Sequence, residues 1–411
     1  MNFESKLSEV SKRIKSSIIR ELLKVANNPG MISFGGGVPD PDTFPRNKLA
    51  EISKEILENE HRFVLQYGTT EGDVELKKGY INLLKKYDGI DWVKDENMVI
   101  TVGSQQALYL VGMTLLDKNS YCGVSRPIYL GAASAFSQRA PKFINIPLTK
   151  DGLDLEYLER ELEKLYEIGE IDKFKFVYAI SNFHNPGGVT MNLEKRKKLV
   201  ELAEKYDFLI VEDDPYGALR FEGNKVPSIY SLAPNRTILL NTFSKVLAPG
   251  LRLGVIIGDE FLIRKITMTK QAADLCSPSL TQRLAARYIQ RYDLYDEIAP
   301  TIKLYGEKKD TMMKAIEENL GDIKDIDWTR PEGGLFTWIT LPKGIDTMEM
   351  FEMAKMEKVL YIPGEAFYVD EPDRNTMRIS FCLPSHEEIH EGMRRLRRVI
   401  DKYAKEKGIE I

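Results

Sequence analysis

Two cations stand close together just after a stretch that should be buried. Lys245 and Arg252 lie seven residues apart in Ser244-Lys245-Val246-Leu247-Ala248-Pro249-Gly250-Leu251-Arg252. They follow the apolar run Ile238-Leu239-Leu240, which reads as a buried strand. Charges at such a strand end are costly unless a ligand needs them. A lysine amine can condense with an aldehyde, and a guanidinium fork matches a phosphate dianion.

A second set of anion donors precedes them. Val99 to Leu108 reads as a strand, a turn at Gly103 and a helix start carrying Ser104 and Gln105. Exposed amides at a helix N-terminus attract an anion, although Ser104 also suits a plain N-cap. Thr242, Ser244 and Arg252 supply donors from the other strand end. A third strand, Phe208 to Val211, runs into Glu212, Asp213 and Asp214, with Tyr216 close behind. Neighbouring strand side chains point to opposite faces, so the three carboxylates cannot share one site, which argues against a metal cluster. One of them aimed at a pyridine nitrogen keeps it protonated; solvated acids are the plainer reading. Tyr216 suits a ring hydroxyl. Asn182-Phe183-His184-Asn185-Pro186-Gly187-Gly188 is first of all a turn, whose Asn185 amide can also reach a ring oxygen. His184 can serve as a base, although Lys245 is better suited. A ligand with an aldehyde, a phosphate and a pyridine ring meets all these groups, and pyridoxal 5′-phosphate is such a ligand.

These side chains need a frame that brings distant strand ends together. Apolar runs at Met98–Val102, Tyr121–Val124, Phe143–Pro147, Phe174–Ile180, Phe208–Val211, Thr237–Asn241 and Leu253–Gly258 alternate with helical patterns at Gln105–Leu116, Asp154–Gly169, Leu193–Tyr206 and Phe261–Thr269. Seven strands with helical crossovers predict an α/β fold with a mostly parallel sheet covered on both faces. Such sheets bind ligands at their carboxyl ends. Past residue 300 a helix at Ile298–Leu320 leads into Leu335–Leu341, Val359–Pro363 and Thr376–Phe381, then a helix from Ser385 to Tyr403. This predicts a smaller α+β domain with an antiparallel sheet. We expect three parts: an N-terminal segment, 1–45, docked on the small domain; a large domain, 46–300, holding the ligand; and a small domain, 301–411.

Composition narrows the class. The 411 residues suffice for roughly two or three domains. A net charge of −4 with no basic tract implies no nucleic-acid partner. No apolar stretch is long enough to span a membrane. No signal peptide is seen, and Cys122, Cys276 and Cys382 are scattered without metal or disulfide spacing, as in a reducing cytoplasm. His386 and His390 lie one helical turn apart with no third ligand near, so no metal is expected. Trp92, Trp328 and Trp338 read as packing residues.

Together the motifs Thr101–Leu108, Glu212–Tyr216 and Thr242–Gly254 resemble those of fold-type I, pyridoxal-phosphate-dependent aminotransferases of class I and II. The chain is most similar to the branch holding kynurenine/2-aminoadipate, lysine-biosynthesis and archaeal aromatic aminotransferases, from Ser17-Ile18-Ile19-Arg20 to Met377-Arg378-Ile379-Ser380-Phe381. The resemblance implies that Lys245 is the Schiff-base lysine and that Asp213 pairs with the pyridine nitrogen. It gives Asn185 and Tyr216 to the ring hydroxyl and Tyr129 to stacking on the ring. Gly103, Ser104, Gln105, Thr242, Ser244 and Arg252 hold the phosphate, joined by Tyr67 from a second subunit of a homodimer. Arg378 grips the substrate α-carboxylate, Gly37 and Asn185 line the substrate pocket, and Arg20 meets the distal substrate group. Cis bonds before Pro127 and Pro186 are implied too. Ile18 stands where the family has proline, and the Asn185-Pro186-Gly187-Gly188 turn has glycine where threonine is commoner. Taken alone, Arg378 also reads as an edge-strand charge and Tyr129 as core.

The expected reaction is ping-pong transamination from an amino acid to 2-oxoglutarate. An apolar pocket of Ile18, Ile19, Tyr129 and Phe367 favours aromatic donors, while Arg20 favours 2-aminoadipate or glutamate. The alternatives are a β-lyase or decarboxylase on the same cofactor, a regulator with this domain behind a DNA-binding module, and a nucleotide-binding α/β protein. Only about twenty residues precede Arg20, few for a DNA-binding module, and no Gly-x-Gly-x-x-Gly or Walker motif is present.

Overall fold

The computed structural model describes residues 3–13, 25–26 and 28–411; Ile18, Ile19 and Arg20 lie outside them. In chain order the strands are Ile32–Ser33 (β1), Met98–Thr101 (β2), Tyr121–Arg126 (β3), Lys142–Thr149 (β4), Gly152–Leu153 (β5), Phe174–Ile180 (β6), Leu209–Asp213 (β7), Thr237–Thr242 (β8), Gly254–Ile257 (β9), Asp327–Trp328 (β10), Phe336–Thr340 (β11), Val359–Leu360 (β12), Ile362–Pro363 (β13) and Thr376–Ser380 (β14).

The large sheet has the order β2-β9-β8-β7-β6-β3-β4-β5. Neighbours from β8 through β4 are parallel, and β9 is antiparallel to both β8 and β2. The seven expected strands are all present, and β5 adds an eighth. Its two residues fold back antiparallel on β4, too short a pairing to leave an alternation in the sequence. On one face, Ala107, Leu108 and Val111 of helix Gly103–Leu115 cover Tyr178, Val211 and Ile238. On the other, helices Leu155–Glu167 and Leu193–Tyr206 cover Val177, Ala179 and Ile210. Asp154 and Asn192 start these two helices, their side chains accepting from the amides of Tyr157 and Lys195.

The C-terminal part builds an antiparallel sheet, β10-β11-β14-β13, against helices Leu294–Leu320 and His386–Lys407. The helix expected from Ile298 begins earlier, at Leu294, and runs through Pro300. The true N-cap is Asp293, whose carboxylate accepts from the amides of Tyr295 and Asp296. The N-terminal segment reaches this part of the molecule through β1, which pairs in parallel with β12. The glycine-rich stretch Gly35–Gly37 that follows is thereby threaded between the two sheets.

Candidate active site

The register of the large sheet sets the first contacts. Asp213 ends β7 and pairs with Ile180 of β6 and Leu240 of β8. Alternation along β7 then sorts the acids. Glu212 turns to one face, where it accepts from Ser181 Oγ and from the amides of Ile229 and Tyr230. Asp214 accepts from the Gly217 amide, and burial raises its pKa to about 6. Asp213 turns to the other face. Its Oδ2 accepts from the Tyr178 hydroxyl at 2.7 Å, while its Oδ1 is buried without a partner. Burial pushes this carboxyl up to about 7, against the pull of Tyr178. A buried acceptor left open is what a ring N–H requires.

The phosphate donors converge by backbone geometry. Gly103 has φ +73° and a Cβ there would lie 2.6 Å from Arg252 Nη2. A Cβ on Gly254 would lie 2.8 Å from the Gly103 carbonyl carbon and 2.9 Å from Ser104 N. Two glycines therefore let the amide end of helix Gly103–Leu115 meet the turn after β8. Arg252, in the left-handed region at φ +53°, is exposed and among the described residues bonds only carbonyls, Pro249 O at 3.4 Å and Val102 O at 3.3 Å. Thr242 Oγ1 donates to Leu253 O and lies 2.9 Å from Ser244 Oγ. Gln105 Nε2 donates to Gly131 O, which draws it to the turn carrying Tyr129. A cradle of small residues, open amides and an arginine without a carboxylate fits a phosphate dianion.

Lys245 Nζ is part-buried and donates to Gly37 O at 2.8 Å. Burial, helped by the charges of Arg378 and Arg252, lowers its pKa to about 8. It lies 5.9 Å from the centre of the Tyr216 ring. Arg378, on β14, is buried and donates Nη1 to Asn185 Oδ1 and Nη2 to Gly35 O, both at 2.9 Å, with Nε unpartnered. Burial lowers its pKa to about 10, so it stays charged at neutral pH. Its guanidinium lies over Phe336 at 4.2 Å and Phe367 at 5.0 Å. Asn185 Nδ2 in turn donates to Tyr216 Oη at 3.3 Å. Burial raises the phenols of Tyr216 and Tyr129. Gly37 leaves room for this crossing, since a Cβ there would stand 3.0 Å from Phe336. The peptides before Pro127 and Pro186 are cis.

Lys245, Asp213, Asn185, Tyr216, Arg378 and Gly37 are thus brought together, with Gly103, Ser104, Gln105, Thr242, Ser244 and Arg252 forming the adjoining cradle. Tyr129 opens the helix Leu130–Ser137 beside Gln105's contact. Tyr67 is apart: its side chain is 80% exposed. Arg20 lies outside the described residues. His184 is no base. Its Nδ1 accepts the Gly187 amide, its Nε2 donates to Ser125 Oγ at 2.8 Å, and burial lowers its pKa to about 3. His386 Nδ1 hydrogen-bonds with Thr311 Oγ1, His390 Nδ1 stands 3.9 Å from Glu318 Oε2, and among the described residues no group of three potential ligands could hold a metal. No helix among them is long and apolar enough to cross a membrane. Tyr178 was absent from the sequence reading, because a tyrosine inside an apolar run looks like core; its position two residues before the end of β6 was the available signal.

The chain is similar to known proteins over nearly its whole length. Residues 29–396 match the model of the aminotransferase class I and II family. The aromatic-amino-acid aminotransferase 1 of Thermococcus litoralis is 42% identical over 406 residues, covering 98% of this chain and 96% of that one. A 2-aminoadipate transaminase of Thermus thermophilus is 36% identical, covering 94% of each chain. The crystal structure of Pyrococcus horikoshii kynurenine aminotransferase, complexed with PMP, superposes with a TM-score of 0.92 at 42% identity, covering 98% of both chains.

Proposed function

Because this chain belongs to the class I and II aminotransferases, enzymes that work with pyridoxal phosphate, we propose that it moves the amino group of an aromatic or 2-aminoadipate-like amino acid to 2-oxoglutarate by a ping-pong sequence. One observation carries the reading. Lys245 Nζ and Arg378 Nη2 bond carbonyls two residues apart, Gly37 and Gly35. An amine and a guanidinium, neither facing a carboxylate among the described residues, meet in one small volume, as needed to hold an amino acid by its carboxylate while a proton moves at its α-carbon.

When bound, the cofactor supplies an aldehyde for amines and a protonated ring that takes up electron density. The chain's own residues do the rest. Arg378 receives the substrate carboxylate in place of its carbonyl partners, and charge-assisted, bidentate geometry fixes the orientation. That fixing turns proton transfer into an intramolecular step. Lys245, with its pKa near 8, is neutral often enough at neutral pH to take the α-proton and return it. When the cofactor is bound, Asn185 and Tyr216 would hold its ring oxygen, Asp213 Oδ1 would accept its ring N–H, and Tyr129 would stack on its ring. Ser104, Gln105, Thr242, Ser244 and Arg252 would hold the phosphate, and Tyr67 would join them from a second copy of the chain. Phe336 and Phe367 beside Arg378 give the pocket an apolar wall that suits aromatic side chains.

A panel of amino donors at fixed 2-oxoglutarate tests this. Glutamate should form one for one with loss of phenylalanine, tyrosine, kynurenine or 2-aminoadipate. Ammonia or carbon dioxide in place of glutamate would instead establish a lyase or decarboxylase. Strict use of a small donor such as alanine would refute the long-side-chain reading.

A further inference from the structure

We propose that Tyr178 is a positioning residue for the cofactor ring: its hydroxyl holds Asp213 as a carboxylate with Oδ1 free, so that the shared proton stays on the ring nitrogen. The inference rests on Asp213 facing that nitrogen, as read above. Tyr178 lies on β6, fully buried, two residues before Ile180, the register partner of Asp213. Phe136 packs edge-on against its ring at 5.5 Å, which fixes the hydroxyl's direction. The hydroxyl donates to Asp213 Oδ2 at 2.7 Å.

Among the described residues this is the one hydrogen bond the Asp213 carboxylate makes, since Oδ1 has none. Among the described residues no cation offsets its charge. The other group acting on it is Asp214, whose negative charge favours protonation. Tyr129 and Tyr216 face the Tyr178 phenol, and burial beside Asp213 raises its pKa so that it remains a donor. A proton between a carboxylate and a pyridine nitrogen goes to the stronger base. Donation from Tyr178 makes the carboxylate the weaker one. Without it, burial makes Asp213 the stronger base, the proton passes to the carboxyl, and the ring stays neutral. No other group on β6, β7 or β8 substitutes for it.

The test uses holoenzyme loaded with pyridoxal phosphate 15N-labelled at the ring nitrogen. In Tyr178→Phe the 15N resonance should move toward neutral pyridine. The kcat should fall roughly tenfold or more, the size expected for one lost hydrogen bond to a charged group, with KM for the amino acid unchanged. A resonance at the wild-type position would overturn the role of Tyr178. Asp213→Asn separates the two levels: it should also read as neutral pyridine, and an unmoved resonance there would instead refute the placement of Asp213. If Tyr178→Phe does not fold, 4-aminophenylalanine installed at 178 keeps the shape with a weaker donor. The resonance should then move toward neutral pyridine, and no movement would overturn the proposal.

Discussion

Arg378 Nη1 donates to Asn185 Oδ1 at 2.9 Å, tying an inner strand of the small sheet to the turn after β6. The bond spans 193 residues of sequence and sets the guanidinium between Asn185 and Gly35 O. Replacing Arg378 with lysine keeps the charge but not the fork, and a single ammonium cannot serve both directions. Arg378→Lys should raise KM for the amino donor about 10- to 100-fold, as for a lost charge-assisted hydrogen bond. The cofactor's visible absorbance should stay as in wild type. Steady-state kinetics beside an absorbance spectrum checks both.

Asp213 links stability to pH. In the folded apoenzyme its pKa is about 7, against 3.8 for the free group. Between those values the folded state binds more protons than the unfolded state, so stability falls as pH rises from about 4 to 7. The cost is on the order of a few kcal/mol and is fully present above pH 7. Asp213→Asn removes the ionisation. The apo variant should melt above wild type at pH 7 to 8, with the advantage gone near pH 4, while cofactor retention and activity drop. Lys245 works in the opposite sense at higher pH. Its amine titrates near 8 when folded and 10.5 when free, so stability rises with pH across that window. Melting curves of the two apo proteins from pH 4 to 8 isolate the aspartate.

The reading of β6, β7, β8 and the turns after them from sequence worked because each is an apolar run closed by polar residues. The separation of Glu212 from Asp213 followed from strand alternation alone. What sequence could not provide was register. Tyr178 meets Asp213 because Ile180 pairs with Asp213, and no local pattern encodes that pairing. Gly35 O and Gly37 O became acceptors for Arg378 and Lys245 through the pairing of β1 with β12, again a long-range contact. His184 could be misread as a base because its partners, Ser125 and the Gly187 amide, appear only in three dimensions.

His184 should behave as a brace for the turn holding Asn185. Alanine there leaves the Gly187 amide and Ser125 Oγ without partners, at about 1 to 3 kcal/mol for each buried group. His184→Ala should lower the melting temperature and raise KM through a looser Asn185. Its pH–rate profile between pH 5 and 8 should keep the wild-type shape, because the imidazole is already neutral throughout. A lost limb in that profile would make His184 a proton carrier after all.

Tyr67 tests whether the site is shared. Its ring is 80% exposed, and Leu65 beside it is 69% exposed. In the proposed twofold dimer each copy would offer Tyr67 to the other's phosphate cradle. Tyr67→Phe removes one donor to a dianion while keeping the ring that would pack at the interface. The variant should remain a dimer by analytical ultracentrifugation and lose pyridoxal phosphate faster on dialysis, with a dissociation constant roughly tenfold higher, as for one hydrogen bond to a charged group. Leu65→Asp places a charge on the same surface and should shift the protein toward monomer. That monomer should bind cofactor no better than the Tyr67→Phe dimer. Wild-type retention in both variants would place the phosphate entirely within one chain.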